Sequence, residues 1–159
     1  MSNNNKVARE HLLYLLKGDG AHLEFDGAVK NMPAEFQGRK PNGAEHSPWE
    51  LLEHLRIAQW DLLEYITNPK HVSPEFPAGY WPASSAPPDA KAWNKSVEQF
   101  KSDFAALEKL VSDDATDPLA ELPHAEGQTI FRKVALAADH NSYHLGQLVL
   151  LRRVLGAWE

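Results

Sequence analysis

The chain has 159 residues, no cysteine and a formal net charge of −6 at pH 7. This length suits one folding unit with its own core, so we predict a single domain over residues 1–159. Without cysteine there are no disulfides, thiolate metal ligands or cysteine nucleophile, and the acidic balance argues against a nucleic-acid partner.

The N-terminal residues and the overall hydropathy bear on where the protein works. Residues 1–6, MSNNNK, contain no apolar stretch of the kind found in signal peptides. No apolar run approaches the roughly 20 residues that a membrane-spanning helix needs. We therefore expect a cytoplasmic protein without a membrane partner.

The first predicted helical segment covers residues 6–32 and is interrupted. Apolar residues recur at helical spacing up to Leu16, and the glycines of Gly18-Asp19-Gly20 then make continued helix costly. Helical character resumes at Leu23. Residues 33–46, which contain two prolines and two glycines, are predicted to be a loop.

The second predicted helix has the clearest start. Ser47-Pro48-Trp49-Glu50 places an N-cap hydroxyl, a proline at the first helical position and a glutamate at N3, which is a capping box. Leu51 and Ala58 belong to an apolar seam at steps of three and four residues. His54 lies between them on the same face, so we expect its side chain to point inward, with Asp61 in nearly the same direction.

Residues 67–91 connect the second and third helices. Six prolines exclude regular structure, while Phe76, Tyr80 and Trp81 favour a loop that packs, because disordered segments are poor in aromatic residues. Two interpretations stay open. The loop is either a connector that seals one end of the protein, or a lid or wall over a pocket.

Two more helices complete the predicted fold. The third begins after Asp89, with apolar residues at helical steps as far as Val111, and residues 112–127 form a loop. The last helix runs from about Gln128 to Leu155, with Gly156 as its C-cap. Four amphipathic segments joined by loops predict an all-α, antiparallel four-helix bundle with a long proline-rich loop between helices two and three.

Three histidines are predicted to face the interior of this bundle. His140 and His144 lie one helical turn apart, so their imidazoles share a face, although such a pair in a chain with eight histidines is a weak signal alone. His54 supplies a third. Three neutral imidazoles can bind a divalent metal and leave positions open for water or substrate, which is typical of catalytic sites. Taken singly, a core histidine is more often structural.

Other polar residues near the predicted site are weaker candidates. The second ring nitrogen of a metal-bound histidine usually donates to an acceptor, and nearby polar side chains could serve: Asp61, Asp139, Asn141 and Gln147. Two loop histidines beside predicted helix starts, His46 and His124, could reach the mouth of a pocket. Three others are expected on the surface: His11, His22 and His71.

Known motifs narrow the chemistry. The spacing of His140 and His144 matches a zinc metalloprotease helix, but Asn141 stands where that motif has its glutamate base. The Glu-x-x-His pairs of di-iron bundles are missing as well, because residues 50–54 place glutamate at other offsets from His54. Peptide hydrolysis by the zinc-protease mechanism and di-iron chemistry are therefore disfavoured.

Two stretches together resemble the DinB-like superfamily, also called the YfiT-like metalloenzymes. They are WELLEHL at residues 49–55, after a Ser-Pro cap, and DHNSYHLGQL at residues 139–148. The resemblance implies a four-helix bundle, a metal triad of His54, His140 and His144 that binds Zn, Ni or a similar divalent ion, and a homodimer. Members with assigned chemistry include transferases of low-molecular-weight thiols and a thiol-dependent maleylpyruvate isomerase.

These observations favour a metal-dependent enzyme acting on a small molecule. A thiol-dependent S-transferase is the preferred reaction, because a metal can activate a low-molecular-weight thiol without a protein cysteine, and hydrolysis stays open. Two alternatives remain. The site could belong to a non-catalytic protein that binds a metal or small molecule, or the histidines could be structural in a dimeric bundle.

Overall fold

The computed structural model describes residues 3–18 and 20–158, and most of these residues are helical. The elements in chain order are α1 (Asn3–Lys17), α2 (Phe25–Val29), α3 (Ala34–Gln37), α4 (Pro48–Thr67), a 3-10 turn (Ala78–Tyr80), α5 (Ala92–Ser112), β1 (Glu121–Leu122), β2 (Ala125–Thr129) and α6 (Ile130–Val154). The two strands pair antiparallel as a small sheet. A mostly helical chain agrees with the predicted all-α class.

The four long helices pack against one another. Helix α4 contacts α5 and α6, and α1 contacts the same two helices. Buried apolar side chains form two clusters along this packing, one including Trp49, Leu52 and Phe100 and the other including Leu12 and Val134. Since burying one such side chain contributes about 1.5–3 kcal/mol, these clusters fix the helices that carry the histidines.

The predicted start of α4 is confirmed. The Glu50 amide donates to Ser47 Oγ at 3.1 Å, and the Ser47 amide donates to Glu50 Oε2 at 2.7 Å. Both bonds of the capping box are therefore present, and they satisfy two amides that a helix start leaves without a partner. This fixed start sets the position of His54 two turns downstream.

The predicted helix breaks are also confirmed. Gly18 and Gly20 have φ values of 72° and 74°, a left-handed conformation that glycine adopts without steric cost. At the other end of the chain, Gly156 has φ 68°. Its amide donates to Arg153 O and the Ala157 amide donates to Arg152 O, which closes the C-terminus of α6.

Three predicted loops contain regular structure. In residues 67–91 the six prolines were predicted to exclude it, but the stretch includes the 3-10 turn Ala78–Tyr80, because those three residues contain no proline and can form a single turn. Residues 33–46 include the four-residue helix α3, because the Ala34–Gln37 stretch has no proline or glycine and carries Glu35 in its first turn. The loop predicted at 112–127 includes the β1–β2 hairpin, whose two strands are too short to show an alternating pattern. Strand β2 ends at Thr129, whose hydroxyl caps α6, so that helix begins two residues later than predicted.

None of the helices in the described ranges combines the length and the apolar composition that crossing a bilayer requires.

Candidate metal centre

Helices α4 and α6 bring the three predicted histidines together. His54 Nε2 lies 2.9 Å from His140 Nε2 and 3.1 Å from His144 Nε2. One ligand nitrogen from each residue can be chosen so that all three lie within 4.8 Å of one another. His54 and His144 are buried, and His140 is half-buried. The cluster is therefore compact enough that the three residues could hold a metal ion.

Hydrogen bonds at the outer ring nitrogens determine where the protons sit. His54 Nδ1 lies 2.9 Å from the Tyr80 carbonyl oxygen, which can only accept, so Nδ1 carries the proton. His144 Nδ1 lies 2.8 Å from Gln147 Oε1 in the same relation. In the neutral imidazoles the Nε2 lone pairs of these two residues therefore face each other.

Facing lone pairs at about 3 Å repel unless a cation lies between them. A histidine that binds a metal through one ring nitrogen usually donates a hydrogen bond from the other, for example to a carbonyl or amide oxygen. The residues present thus fit a divalent ion, and an N₃ donor set suits Zn²⁺, Ni²⁺ and related ions better than Ca²⁺ or Mg²⁺.

The surroundings keep the three imidazoles neutral. Burial lowers the pKa of His140 to about 3, with further lowering by His144 and His54. Burial also lowers the pKa of His54 and of His144, although the hydrogen bonds that they donate to the Tyr80 carbonyl and to Gln147 act in the opposite direction. Because a metal binds the neutral form of imidazole, the site is ready to bind one at neutral pH.

An aromatic stack covers one side of the cluster. The Trp81 ring lies 3.9 Å from the His54 ring, centroid to centroid, with 3° between the planes, and the His46 ring lies 3.9 Å from the Trp81 ring. Tyr143 approaches His144 edge-on at 4.8 Å and is 65% exposed. Among the two interpretations of residues 67–91, these contacts favour a wall of the site.

The comparison with protein families agrees with this geometry. The family model of the DinB superfamily matches residues 19–148, a range that contains His54, His140 and His144. The chain belongs to the DinB superfamily. No curated protein and no solved structure matches it. The two sequence stretches at residues 49–55 and 139–148 thus predicted both the DinB superfamily and the three-histidine cluster.

The other polar candidates of this DinB-superfamily chain have different positions. Gln147 orients His144, as predicted for a residue beside the site. Asn141 Nδ2 instead donates to Gln59 Oε1 at 2.8 Å, because one residue beyond His140 the helix turns its side chain toward α4. Asp139 is exposed on α6.

Within the described residues, Asp61 does not accept a hydrogen bond from any of the three cluster histidines. It lies seven residues beyond His54, about 10 Å along the helix axis. Its carboxylate accepts from the Tyr80 hydroxyl and from His71, each at 2.7 Å. The prediction that His71 is a surface residue was wrong, because its side chain is 7% exposed and bound to Asp61.

The two weakly predicted loop histidines differ from each other. His46 reaches the aromatic stack through Trp81. His124 is exposed, and its Nε2 lies 2.8 Å from the Tyr65 carbonyl oxygen, so it is not brought to the cluster. His11 and His22 are exposed as predicted, and His22 Nε2 lies 2.9 Å from Ser142 Oγ.

Sequence reasoning missed two parts of the site. The acceptor for His54 is the backbone carbonyl of Tyr80, and a carbonyl cannot be identified from residue types. The ring that covers His54 is Trp81. The aromatic residues of the proline-rich loop were a usable signal for a wall, but nothing in the pattern indicated which of them would reach the imidazole.

Proposed function

We propose that this protein is a metal-dependent enzyme in which His54, His140 and His144 hold a divalent ion, with Zn²⁺ or Ni²⁺ the best suited. The observation that carries the proposal is the convergence of the Nε2 atoms while Tyr80 and Gln147 accept from the opposite nitrogens. A purely structural role would leave the Nε2 lone pairs of His54 and His144 opposed within the core.

The proposed reaction is transfer of a low-molecular-weight thiol to a small electrophile. When bound, the ion supplies Lewis-acid chemistry, which lowers the pKa of a thiol or polarises a substrate. The chain has no cysteine, so the thiol is a substrate and not a protein group. In the transfer the thiol S–H bond breaks and a sulfur–carbon bond forms. The electrophile either loses a leaving group with its electron pair, or opens a carbon–carbon double bond whose electron pair then takes up the thiol proton.

The protein's own residues prepare the site for this reaction. The Tyr80 carbonyl and Gln147 fix the imidazole orientations, so no reorientation is needed when a ligand binds. Trp81 stacks on His54 and so shields one side of that imidazole from water.

Metal content tests the first half of the proposal. Purified protein should carry about one divalent ion per chain by elemental analysis, and His140→Ala should lose it together with the rise in Tm on adding Zn²⁺ or Ni²⁺. His11→Ala, at an exposed histidine of α1, is the control and should keep both. A wild-type protein without stoichiometric metal and without metal-induced stabilisation contradicts the metal centre.

Turnover tests the second half. The metal-loaded protein should accelerate conjugation of a low-molecular-weight thiol with an electrophile, and removal of the metal by chelation should abolish the acceleration. Stoichiometric metal without thiol-dependent turnover across a panel of thiols and electrophiles would favour the alternative of a non-catalytic binding protein.

We also infer that the four long helices form an antiparallel bundle and that two copies associate through α6. The support for a homodimer is an apolar stripe on α6 that is exposed in the single chain, at spacings of seven, seven and four residues: Leu136 49%, Tyr143 65%, Leu150 61% and Val154 61%. Such a stripe on one helix face is typical of a contact surface.

Sedimentation tests the dimer. Leu150→Glu places a charge in the middle of the stripe and should convert the dimer to a monomer. Leu119→Glu, at an exposed leucine outside α6, should leave the sedimentation coefficient unchanged. A wild-type protein that sediments as a monomer contradicts this part of the proposal.

A further inference from the structure

Asp61 is a buried carboxylate that the proposed metal site does not use directly. This residue belongs to α4 and is 6% exposed. A buried carboxylate is costly unless hydrogen bonds satisfy it. Two residues from the connection after α4 do so, with the Tyr80 hydroxyl donating to Oδ2 and His71 Nε2 contacting Oδ1, each at 2.7 Å.

Tyr80 joins this carboxylate to the histidine cluster. Its side chain is held by Asp61, and its backbone carbonyl accepts from His54 Nδ1 at 2.9 Å. Asp61 and His54 are seven residues apart on one helix, so Tyr80 is attached to α4 at two points about two turns apart. A residue held at both ends has little freedom to rotate its carbonyl away from the imidazole.

The adjoining contacts reinforce this attachment. Trp81 follows Tyr80 in the chain and stacks on the His54 ring with 3° between the planes. The Trp60 and His71 rings pack nearly perpendicular to each other, with their centroids 5.2 Å apart, and this contact holds the second donor to Asp61. Burial, and then the bond to Asp61, raise the pKa of Tyr80 to about 12, so its hydroxyl remains a donor throughout the neutral range.

We propose that Asp61 is a positioning residue for the metal centre. Through the Tyr80 side chain it fixes the carbonyl that orients His54, and so it sets metal affinity without contacting the ion. This inference rests on the proposed metal site. Asp61 acts on His54 Nε2 in two steps. Its carboxylate holds the Tyr80 side chain, and the Tyr80 carbonyl holds His54 in the tautomer whose Nε2 lone pair faces the cluster.

Co²⁺ is the probe for the test, because its visible absorption reports coordination geometry as well as binding. In full-length protein, Tyr80→Phe removes only the hydroxyl and should weaken Co²⁺ binding by about tenfold, the lower end of the range for loss of an orienting partner. The absorption bands of the Co²⁺ complex should shift. Asp61→Ala should produce the same two changes.

A double variant tests whether Asp61 affects Co²⁺ binding through Tyr80 or independently of it. If Asp61 acts through Tyr80, the variant carrying both Asp61→Ala and Tyr80→Phe should bind Co²⁺ about as weakly as either single variant. His71→Ala leaves the Tyr80 bond in place and should weaken binding less than Tyr80→Phe. If the loss of Co²⁺ affinity in the double variant equals the product of the losses in the two single variants, Asp61 does not act through Tyr80.

Two matched controls address general destabilisation. Asp103 on α5 is also 6% exposed and accepts from Gln99 at 3.0 Å, and Tyr14 on α1 is 53% exposed. Asp103→Ala and Tyr14→Phe should keep the wild-type Co²⁺ affinity and spectrum, whatever they do to Tm. If Asp103→Ala weakens binding as much as Asp61→Ala, the effect is not positional and the proposal is overturned.

The remaining outcomes distinguish this proposal from the proposed function. If Tyr80→Phe and Asp61→Ala bind Co²⁺ like the wild type with an unchanged spectrum, the positioning role fails and the metal site stands. If the wild-type protein itself binds no Co²⁺, Zn²⁺ or Ni²⁺, the metal site fails, and the positioning role fails with it.

Discussion

The two connections that join α4 to α5 and α5 to α6 differ in how they are anchored. Residues 68–91 are held by a carboxylate, Asp61, which accepts side-chain donors and leaves the Tyr80 carbonyl available to His54. Residues 113–129 begin next to a cation, Arg9 of α1, whose guanidinium donates hydrogen bonds to the carbonyl oxygens of Asp113 and Thr116. The first connection is thus anchored through its side chains, and the second through its backbone carbonyls.

The histidines near these connections show the same difference. His46 contacts the first connection at Trp81, whose other face covers His54. His124 belongs to the second connection and bonds to the carbonyl of Tyr65, eleven residues beyond His54 and about 16 Å along α4. His46 therefore lies beside the cluster because the first connection places Trp81 between it and His54, and His124 has no such contact with the cluster.

The largest expected effect comes from replacing with alanine one histidine in contact with each connection: His54, which bonds to the first, and His124, which belongs to the second. With Zn²⁺ at about 100 times its Kd, metal binding should stabilise the wild type by about 2.7 kcal/mol. His54→Ala should abolish this metal-linked rise in Tm, and His124→Ala should retain it. Thermal unfolding with and without Zn²⁺ measures both, and equal loss in the two variants would erase the distinction between the connections.

The next effect concerns the ring that only the first connection supplies. Trp81→Ala removes a half-buried indole stacked between two imidazoles and should cost about 2 kcal/mol in the free energy of unfolding. Leu119→Ala, at an exposed residue of the second connection, should cost less than about 0.5 kcal/mol. Urea denaturation measures both. Similar losses would show that Trp81 contributes no more than a surface side chain.

Much of this architecture was predictable because it depends on local chemistry. The capping box at Ser47 and the helix spacing of His54, His140 and His144 were readable, since period and cap depend on residues a few positions apart. The β1–β2 hairpin was not readable, because two- and five-residue strands carry too short a pattern.

The three candidate metal ligands were predictable from the sequence, but the groups that hold them in position were not. Asp61 was singled out from its inward direction, but its partners Tyr80 and His71 come from a proline-rich segment whose path no periodicity describes. The acceptor for His54 is a backbone group, present at every residue, so its identity depends on the path of the chain alone.

An effect that is smaller for each pH unit should appear in the pH dependence of stability of the metal-free protein. The pKa of His140 is lowered to about 3 in the folded state, from about 6.5 when unfolded. Between these values the unfolded state binds more protons, so stability should fall as the pH drops from about 6.5 toward 3, by up to about 1.4 kcal/mol per pH unit for this group.

His140→Ala tests that assignment. The variant lacks the buried imidazole, so its free energy of unfolding should depend less steeply on pH in the same window. His54 and His144, whose pKa values are also lowered, should leave a residual slope. Urea denaturation at intervals from pH 7 to pH 4 measures the slopes, and identical slopes in the two proteins would contradict the burial of a neutral His140.

The smallest effect should come from His46, the outer ring of the stack. His46→Ala removes one aromatic contact at a half-buried position and should cost about 0.5 kcal/mol in stability, with a change in Zn²⁺ affinity of less than about threefold. His46→Phe keeps a ring against Trp81 but no ligand nitrogen, so it should restore the wild-type stability. Competition with a chelator measures the affinity. If His46→Phe lost Zn²⁺ as completely as His54→Ala, His46 would be a fourth ligand and not a packing residue, and the first connection would adjoin a differently composed site.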